Sequence, residues 1–326
     1  MISVVIPLYN KAHTIRRTLS SVLAQSFQEF EVVIVNDGSS DNGVEVIREF
    51  TADPRIRIIE QPNQGVSVAR NNGVEAANFD WVSFLDGDDE WLPDYLKTVA
   101  KAIETFPSAG MICTGRFEKA LGSDGKEASS HVVVARKYAN KMQAVEYFEN
   151  PHVFSHTSTV TIKKDTFYRA EKFPVGVKSQ EDLAFFYSAG LVSNVVYCGY
   201  PLGVYWGGIV MQATSGLSIQ TRIDSFCFRV NRNHDLWIRL EKKNKMYPIF
   251  EKYEIRARMM GLLRGKDWSS IDSIQKNLDP RLIRTFPAFE FFLYRIHSLS
   301  WLGKAYIYFT KLVWRMHGFP IVGQRG

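Results

Sequence analysis

Apolar positions in the first hundred residues fall into short runs separated by stretches of helical spacing. Ile2 to Ile6 is a compact apolar run, Thr14 to Leu23 has helical periodicity, and Glu31 to Val35 is β-branched. Asn36-Asp37-Gly38-Ser39-Ser40-Asp41 then reads as a turn leading into a second helix. The pattern repeats with Arg55 to Ile59 and Trp81 to Leu85 as strands, and Gly65 to Ala77 and Pro93 to Phe106 as helices. Such alternation predicts right-handed βαβ crossovers and an α/β sheet, with ligands outside the carboxyl ends of the strands. Pro7 to Asn10, Asn36 to Ser39 and Asp86 to Asp89 all lie at such ends, so three polar turns converge on one edge.

Beyond residue 106 the pattern changes. Gly122 to Lys126 reads as a turn, His131 to Ala135 and Ser158 to Ile162 as strands, and Leu183 to Tyr187 as part of a helix. After Ser218 long helical segments follow, over Asp224 to Lys243, Pro248 to Arg264 and Phe289 to His317. Residues 1–218 are thus expected to form the α/β unit and 219–326 a helical appendage.

The acidic turn carries the sharpest chemistry. Asp86, Asp88 and Asp89 crowd the residues behind an apolar strand, where carboxylates repel one another unless something positive sits between them. Hard oxygen donors suit Mg²⁺ or Mn²⁺, which keep open positions for water and substrate phosphates. The plainer alternative is a turn capping the next helix, with Asp89 or Glu90 at its start and Pro93 in its first turn. Asp37 is suited either to a nucleobase imide or ribose hydroxyl, or to turn formation alone. No GxGxxG follows the first strand and no GxxxxGK[ST] occurs, which argues against dinucleotide oxidoreductases and P-loop nucleotidases.

Composition narrows the setting. The three cysteines are widely spaced and unpaired in pattern, giving neither a disulfide framework nor a zinc site, and a reducing, cytoplasmic location is expected. No run reaches the ~18 uncharged apolar residues of a spanning helix. The net charge of +6 is concentrated from Arg222 to Arg325, where cations interleave with aromatics. Phe289 to Ile296 and Trp301 to Arg315 suit either a membrane interface or packing on the domain or a second subunit. No nucleic-acid module accompanies the charge.

Five segments, in order, resemble family 2 glycosyltransferases with the GT-A fold. They are Val4 to Asn10, Ser20 to Phe27, Val35 to Asp41, Asn63 to Asn71 and Phe84 to Asp89. The likeness continues more loosely through Gln180-Glu181-Asp182 to about Ser218. It implies a Rossmann-like, mixed but mainly parallel sheet flanked by helices, and an inverting transfer from a nucleoside diphosphate sugar, commonly a UDP-sugar. A saccharide or lipid-linked saccharide would accept the sugar.

By the same resemblance Pro7 and Tyr9 line the base pocket, Asp37 faces the uracil and Arg70 approaches the nucleotide. Asp86 approaches the ribose or sugar, and Asp88 is the main protein ligand of Mn²⁺ or Mg²⁺, with Asp89 supporting its turn. Asp182 is the general base, where local pattern alone would offer a helix cap. Many relatives complete the metal shell with a histidine downstream of the Glu-Asp pair. Here no histidine lies between His156 and His234, and Trp206 to Gln212 occupies that place. His152 and His156 are expected to be structural or on the acceptor side. A fold that kept nucleotide-sugar binding without turnover is a rival reading, disfavoured by intact Asp86, Asp88 and Asp182. A nucleotidyltransferase is another, lacking its usual Gly-rich basic loop after the first strand.

Overall fold

The computed structural model describes residues 1–121, 127–207, 216–320 and 323–324. The expected turn at Gly122 to Lys126, and the Trp206 to Gln212 segment beyond Gly207, lie outside them. The first four strands are β1 (Ile2–Leu8), β2 (Phe30–Asp37), β3 (Ile56–Gln61) and β4 (Trp81–Phe84). They alternate with α1 (Ile15–Leu23), α2 (Gly43–Phe50) and α3 (Val66–Ala76). All pair in parallel in the order β4-β1-β2-β3, with Ile2 opposite Phe30 and Ser3 opposite Val82. Their near-continuous apolar runs follow from burial on both faces. Ile2, Val4, Ile6 and Leu8 pack against Leu19 and Ile47 on one side, while Val5, Val33 and Val35 meet Ala69 and Val74 on the other.

The rest of the sheet is largely antiparallel. A short β5 (Glu90–Trp91) precedes α4 (Tyr95–Thr105), then β6 (Ala109–Leu121), β7 (Glu127–Ala135) and β8 (Met142–Val145) follow. Next come α5 (Pro151–Phe154), β9 (Val160–Lys163), α6 (Lys164–Arg169), α7 (Glu181–Val192) and β10 (Asn194–Gly207). β9 lies antiparallel between β4 and β6, and β10 runs parallel to β6 but antiparallel to β5 and β8. The sheet is therefore mixed, parallel from β4 to β3 and at β6–β10. The acidic turn does not cap the next helix, because Glu90 and Trp91 enter β5 and α4 begins only at Tyr95 behind Asp94.

Among the described residues six α-helices follow: α8 (Ile219–Arg239), α9 (Tyr247–Gly265), α10 (Trp268–Asn277), α11 (Pro280–Ile283), α12 (Ala288–Arg295) and α13 (Ser300–Met316). A last strand, β11 (Gly323–Gln324), pairs with β7. The single helix expected over Phe289 to His317 is two, broken by a 3₁₀ turn at His297–Leu299. Apolar periodicity persists through the break, which hides it from pattern reading. No helix among the described residues is long and apolar enough to cross a membrane.

Candidate active site

The turns behind β1, β2 and β4 are laced to one another. Asn10, left-handed at φ 53°, accepts the Ser40 N–H at 2.8 Å and donates its own N–H to Ser39 Oγ at 3.1 Å. The Ala12 N–H donates to Asp41 Oδ2 at 2.8 Å. Gly38 sits at φ +69°, and a Cβ there would stand 2.8 Å from the Asn63 nitrogen, so glycine is required by both conformation and space.

The acidic turn is anchored from the start of α1 by three donors to its carbonyls. Thr14 Oγ1 reaches Gly87 O at 2.7 Å, Arg17 Nη2 reaches Asp88 O at 2.6 Å, and Thr18 Oγ1 reaches Asp89 O at 2.8 Å. Asp89 is buried and takes Ser158 Oγ at 2.5 Å and the Trp206 N–H at 3.2 Å. Burial, then the charges of Asp86 and Asp88, push its carboxyl well above the usual range. Asp89 thus organises the turn from inside. Asp88 points outward enough to pair with Lys11 Nζ at 2.5 Å.

Asp86 faces a different cation. Arg70, buried on α3, donates Nη2 to Asp86 Oδ1 at 2.8 Å and Nη1 to Glu181 Oε1 at 3.3 Å. Burial works against the guanidinium charge, but Asp86 and Glu181 outweigh it and raise its pKa. Its Nε has no partner among the described residues. Glu181 and Asp182 open α7 behind Gln180, and Asp182 Oδ1 accepts the Leu183 N–H at 2.7 Å. Burial raises both carboxyls above their ordinary values, and the charges of Arg70 and Asp86 act on Asp182 as well. Arg70, Asp86 and the Glu181–Asp182 pair therefore form one electrostatic unit drawn from α3, the β4 turn and α7.

Asp37 is almost fully buried and stands apart from that unit. Its Oδ1 accepts Gln61 Nε2 at 2.7 Å and the Gln64 N–H at 2.9 Å, and its Oδ2 accepts the Gly65 N–H at 2.8 Å. These bonds shape the 61–65 turn. Pro7 lies in β1 opposite Val35, and Tyr9 is half exposed beyond the strand end. Of the two histidines, His152 pairs with Glu254 at 2.9 Å, whereas His156 stands beside Tyr205, with ring centroids 4.9 Å apart. Asp86, Glu118, Arg116 and Arg70 all act on His156 electrostatically.

Among the described residues no three His, Cys, Asp or Glu side chains converge on one metal position. Asp86 and Asp88 supply hard oxygens, so the donor set fits Mg²⁺ or Mn²⁺ only where substrate phosphates and water complete the shell. A cavity of about 650 Å³ lies elsewhere, lined by Lys163, Asp165, Arg169 and Trp237, and includes none of the predicted site residues.

The profile of glycosyl transferase family 2 matches residues 3–171, just over half the chain. The chain belongs to glycosyltransferase family 2. It is 35% identical over 150 residues to glycosyltransferase GlyA of Streptococcus pneumoniae, a match covering 46% of this chain and 21% of that protein. An uncharacterized glycosyltransferase of Escherichia coli, YibD, is 41% identical over 99 residues, covering 30% of this chain and 29% of the other. The chain thus spans less than a third of the length of these curated relatives. In fold it resembles Staphylococcus aureus TarS 1-349 in complex with UDP-GlcNAc, at a TM-score of 0.59 and 16% identity, over 98% of this chain and 92% of the other.

Family motifs singled out the acidic residues but not the groups that hold them. Lys11, Ser158 and the Trp206 backbone all contact the acidic turn, from 69 to 117 residues away in sequence. Crowded carboxylates demand a counter-charge, and that demand is the available signal for Lys11; nothing local marks Ser158.

Proposed function

We propose that this family 2 glycosyltransferase moves a sugar from a nucleoside diphosphate sugar, a UDP-sugar, to a hydroxyl of a saccharide or lipid-linked saccharide, with inversion. The observation that carries this reading is the joining of Arg70, Asp86 and the Glu181–Asp182 pair at the strand ends, beside the Asp88 turn. The acceptor hydroxyl attacks the anomeric carbon, the bond from that carbon to the diphosphate oxygen breaks, and the hydroxyl proton passes to Asp182 Oδ. Burial holds the Asp182 carboxyl above its ordinary pKa, which improves its match to a general base. Arg70 orients Asp86 against the donor and keeps positive charge near the departing diphosphate.

Pro7 and Tyr9 flank the nucleobase, and Asp37 meets the uracil with the acceptor capacity left after its three internal hydrogen bonds. Asp88 is the protein ligand for Mn²⁺ or Mg²⁺, and that ion supplies charge stabilisation to the leaving diphosphate when bound. Asp88 would leave its ion pair with Lys11 to hold such an ion. The UDP-GlcNAc complex of the structurally similar TarS supports a UDP-linked donor. A lipid-linked acceptor fits peripheral contact with the cytoplasmic face of a membrane.

Calorimetry with UDP and Mn²⁺ tests donor and metal together. Chelator-sensitive affinity is expected in the parent, and Asp88→Ala should lose that metal dependence while staying folded. Metal-dependent binding that is unchanged in the variant removes Asp88 from the site. Asp182→Asn should bind UDP as the parent does but transfer about 10²- to 10⁴-fold more slowly, the usual contribution of a general base. Parental transfer by Asp182→Asn makes Asp182 a helix cap.

A further inference from the structure

Helix α13 has two apolar faces, and only one is covered. Gly303 and Ile307 face inward, where Gly303 lies close to the Tyr294 ring and Ile307 is fully buried. Trp314 completes that side against Tyr253 and Phe319. On the opposite side Trp301, Ala305, Tyr308, Leu312 and Met316 recur every three or four residues, with Phe309 beside them, which places all six on one stripe. All are exposed, the five large ones between 46% and 70%. Half of the exposed large apolar side chains among the described residues lie between Phe289 and Met316. Scattered exposed apolar groups are ordinary, but a contiguous stripe marks a contact surface.

Charge decides what the surface fits. Lys304, Lys311 and Arg315 follow the stripe along a single flank of the helix, and α13 contains no acidic residue. From Phe291 onward the sequence has five Lys or Arg and no Asp or Glu at all. A second copy of this chain would bring like charges together across a symmetric contact, which is unfavourable. An anionic bilayer surface meets both features at once, taking the aromatic stripe into the headgroup boundary and the cations to the phosphates. We infer that the exposed face of α13, extended by Phe289 and Phe292 of α12, is a docking surface for an anionic membrane. Phe289 already contacts Tyr306 of α13, with centroids 5.2 Å apart, so the two helices present their exposed aromatics together.

The test uses the full chain and vesicles of phosphatidylcholine with or without about a third phosphatidylglycerol. The parent should co-sediment with the anionic vesicles at low salt, release at about 0.5 M salt, and ignore pure phosphatidylcholine. Lys304→Glu with Arg315→Glu should weaken binding at least thirty-fold, since each cation near the surface is worth about 1 kcal/mol. The triple variant Trp301→Gln, Phe309→Gln, Leu312→Gln changes only exposed side chains, so it should stay folded and lose at least ten-fold. UDP binding, measured on the same samples, should be unchanged in both. The proposal is overturned by a parent that ignores anionic vesicles, or by variants that bind like the parent. It is equally overturned if analytical ultracentrifugation shows a dimer that the triple variant dissolves, because the stripe then belongs to a second copy.

Discussion

His156 feels the charge of Asp86 in the acidic turn, yet its own proton affinity is low. Its Nδ1 accepts the Ser158 N–H at 3.4 Å, and Ser158 in turn serves Asp89. Burial first, then the nearby Arg116 charge, hold its pKa down to about 3. In the unfolded chain a histidine binds its proton near pH 6.5, so the unfolded state takes up more protons anywhere between about 6.5 and 3. Stability from this residue is therefore complete above pH 6.5 and declines as pH falls, by at most about 1.4 kcal/mol per unit. His156→Asn keeps an acceptor for Ser158 without the titration. Urea unfolding across a pH series should show the parent losing about 2 kcal/mol more than the variant between pH 7 and pH 5. Parallel curves would show that His156 is protonated in the folded protein. Asp89, Glu181 and Asp182, whose carboxyls are raised, push stability the other way on acidification, but they do so equally in both proteins.

At the level of elements, the start of α7 is set by helices far downstream. Gln180 precedes it at φ +62°, a left-handed conformation that costs a non-glycine residue about 1 kcal/mol or more. Arg229 of α8 holds it there, donating Nε to Gln180 Oε1 at 2.9 Å and Nη2 to Glu254 of α9 at 3.1 Å. Burial alone would raise the Glu254 carboxyl, but His152 and Arg229 bring it down to about 2, so the clamp is charged at neutral pH. Asn233 adds bonds to Ala184 O and Ser188 Oγ at 3.0 and 2.9 Å. If this clamp aims Asp182, Gln180→Gly should lower kcat about ten- to hundred-fold, with the donor KM within about two-fold and a displaced pH–rate profile. Glycine fits the left-handed backbone, so loss of the tether is isolated from strain. A parental kcat in Gln180→Gly alongside a crippled Asp182→Asn would dismiss the clamp and leave the base in place. None of this was legible in the sequence, because a left-handed glutamine has no compositional mark and Arg229 lies 49 residues away. Strands β1 to β4 were legible, being short apolar runs closed by polar turns. Strand β10 was not, since Gly199, Pro201 and Gly203 interrupt its alternation and its register shifts between Cys198 and Gly203.

Across the whole molecule, helices after residue 218 share the core of the α/β part. Leu236, Tyr247 and Phe250 belong to the same buried cluster as Val5, Phe84, Phe148 and Phe185. The Phe250 ring meets Phe148 at 5.7 Å and Tyr187 at 5.1 Å, so α9 packs directly on α7 and on the segment before α5. A separate buried cluster, built around Phe226, Ile255, Met259 and Ile271, ties α8, α9 and α10 together. The change in composition after residue 218 marks a packed helical appendage, but composition carries no information on which of its apolar faces meet the α/β part. Shared packing leads to an expectation about cooperativity. Phe250→Ala removes a buried ring at the junction and should cost about 3–5 kcal/mol, the usual range for such a truncation. If the two parts unfold together, denaturant curves followed by fluorescence and by far-UV circular dichroism should shift by the same amount and remain coincident. Two separated transitions, with only the second one moved by Phe250→Ala, would instead make residues 219–326 an independent unit. A chain ending at Ser218 should then fold and bind UDP alone, whereas shared packing predicts that it exposes Phe148 and Tyr187, which pack on Tyr247 and Phe250, and aggregates.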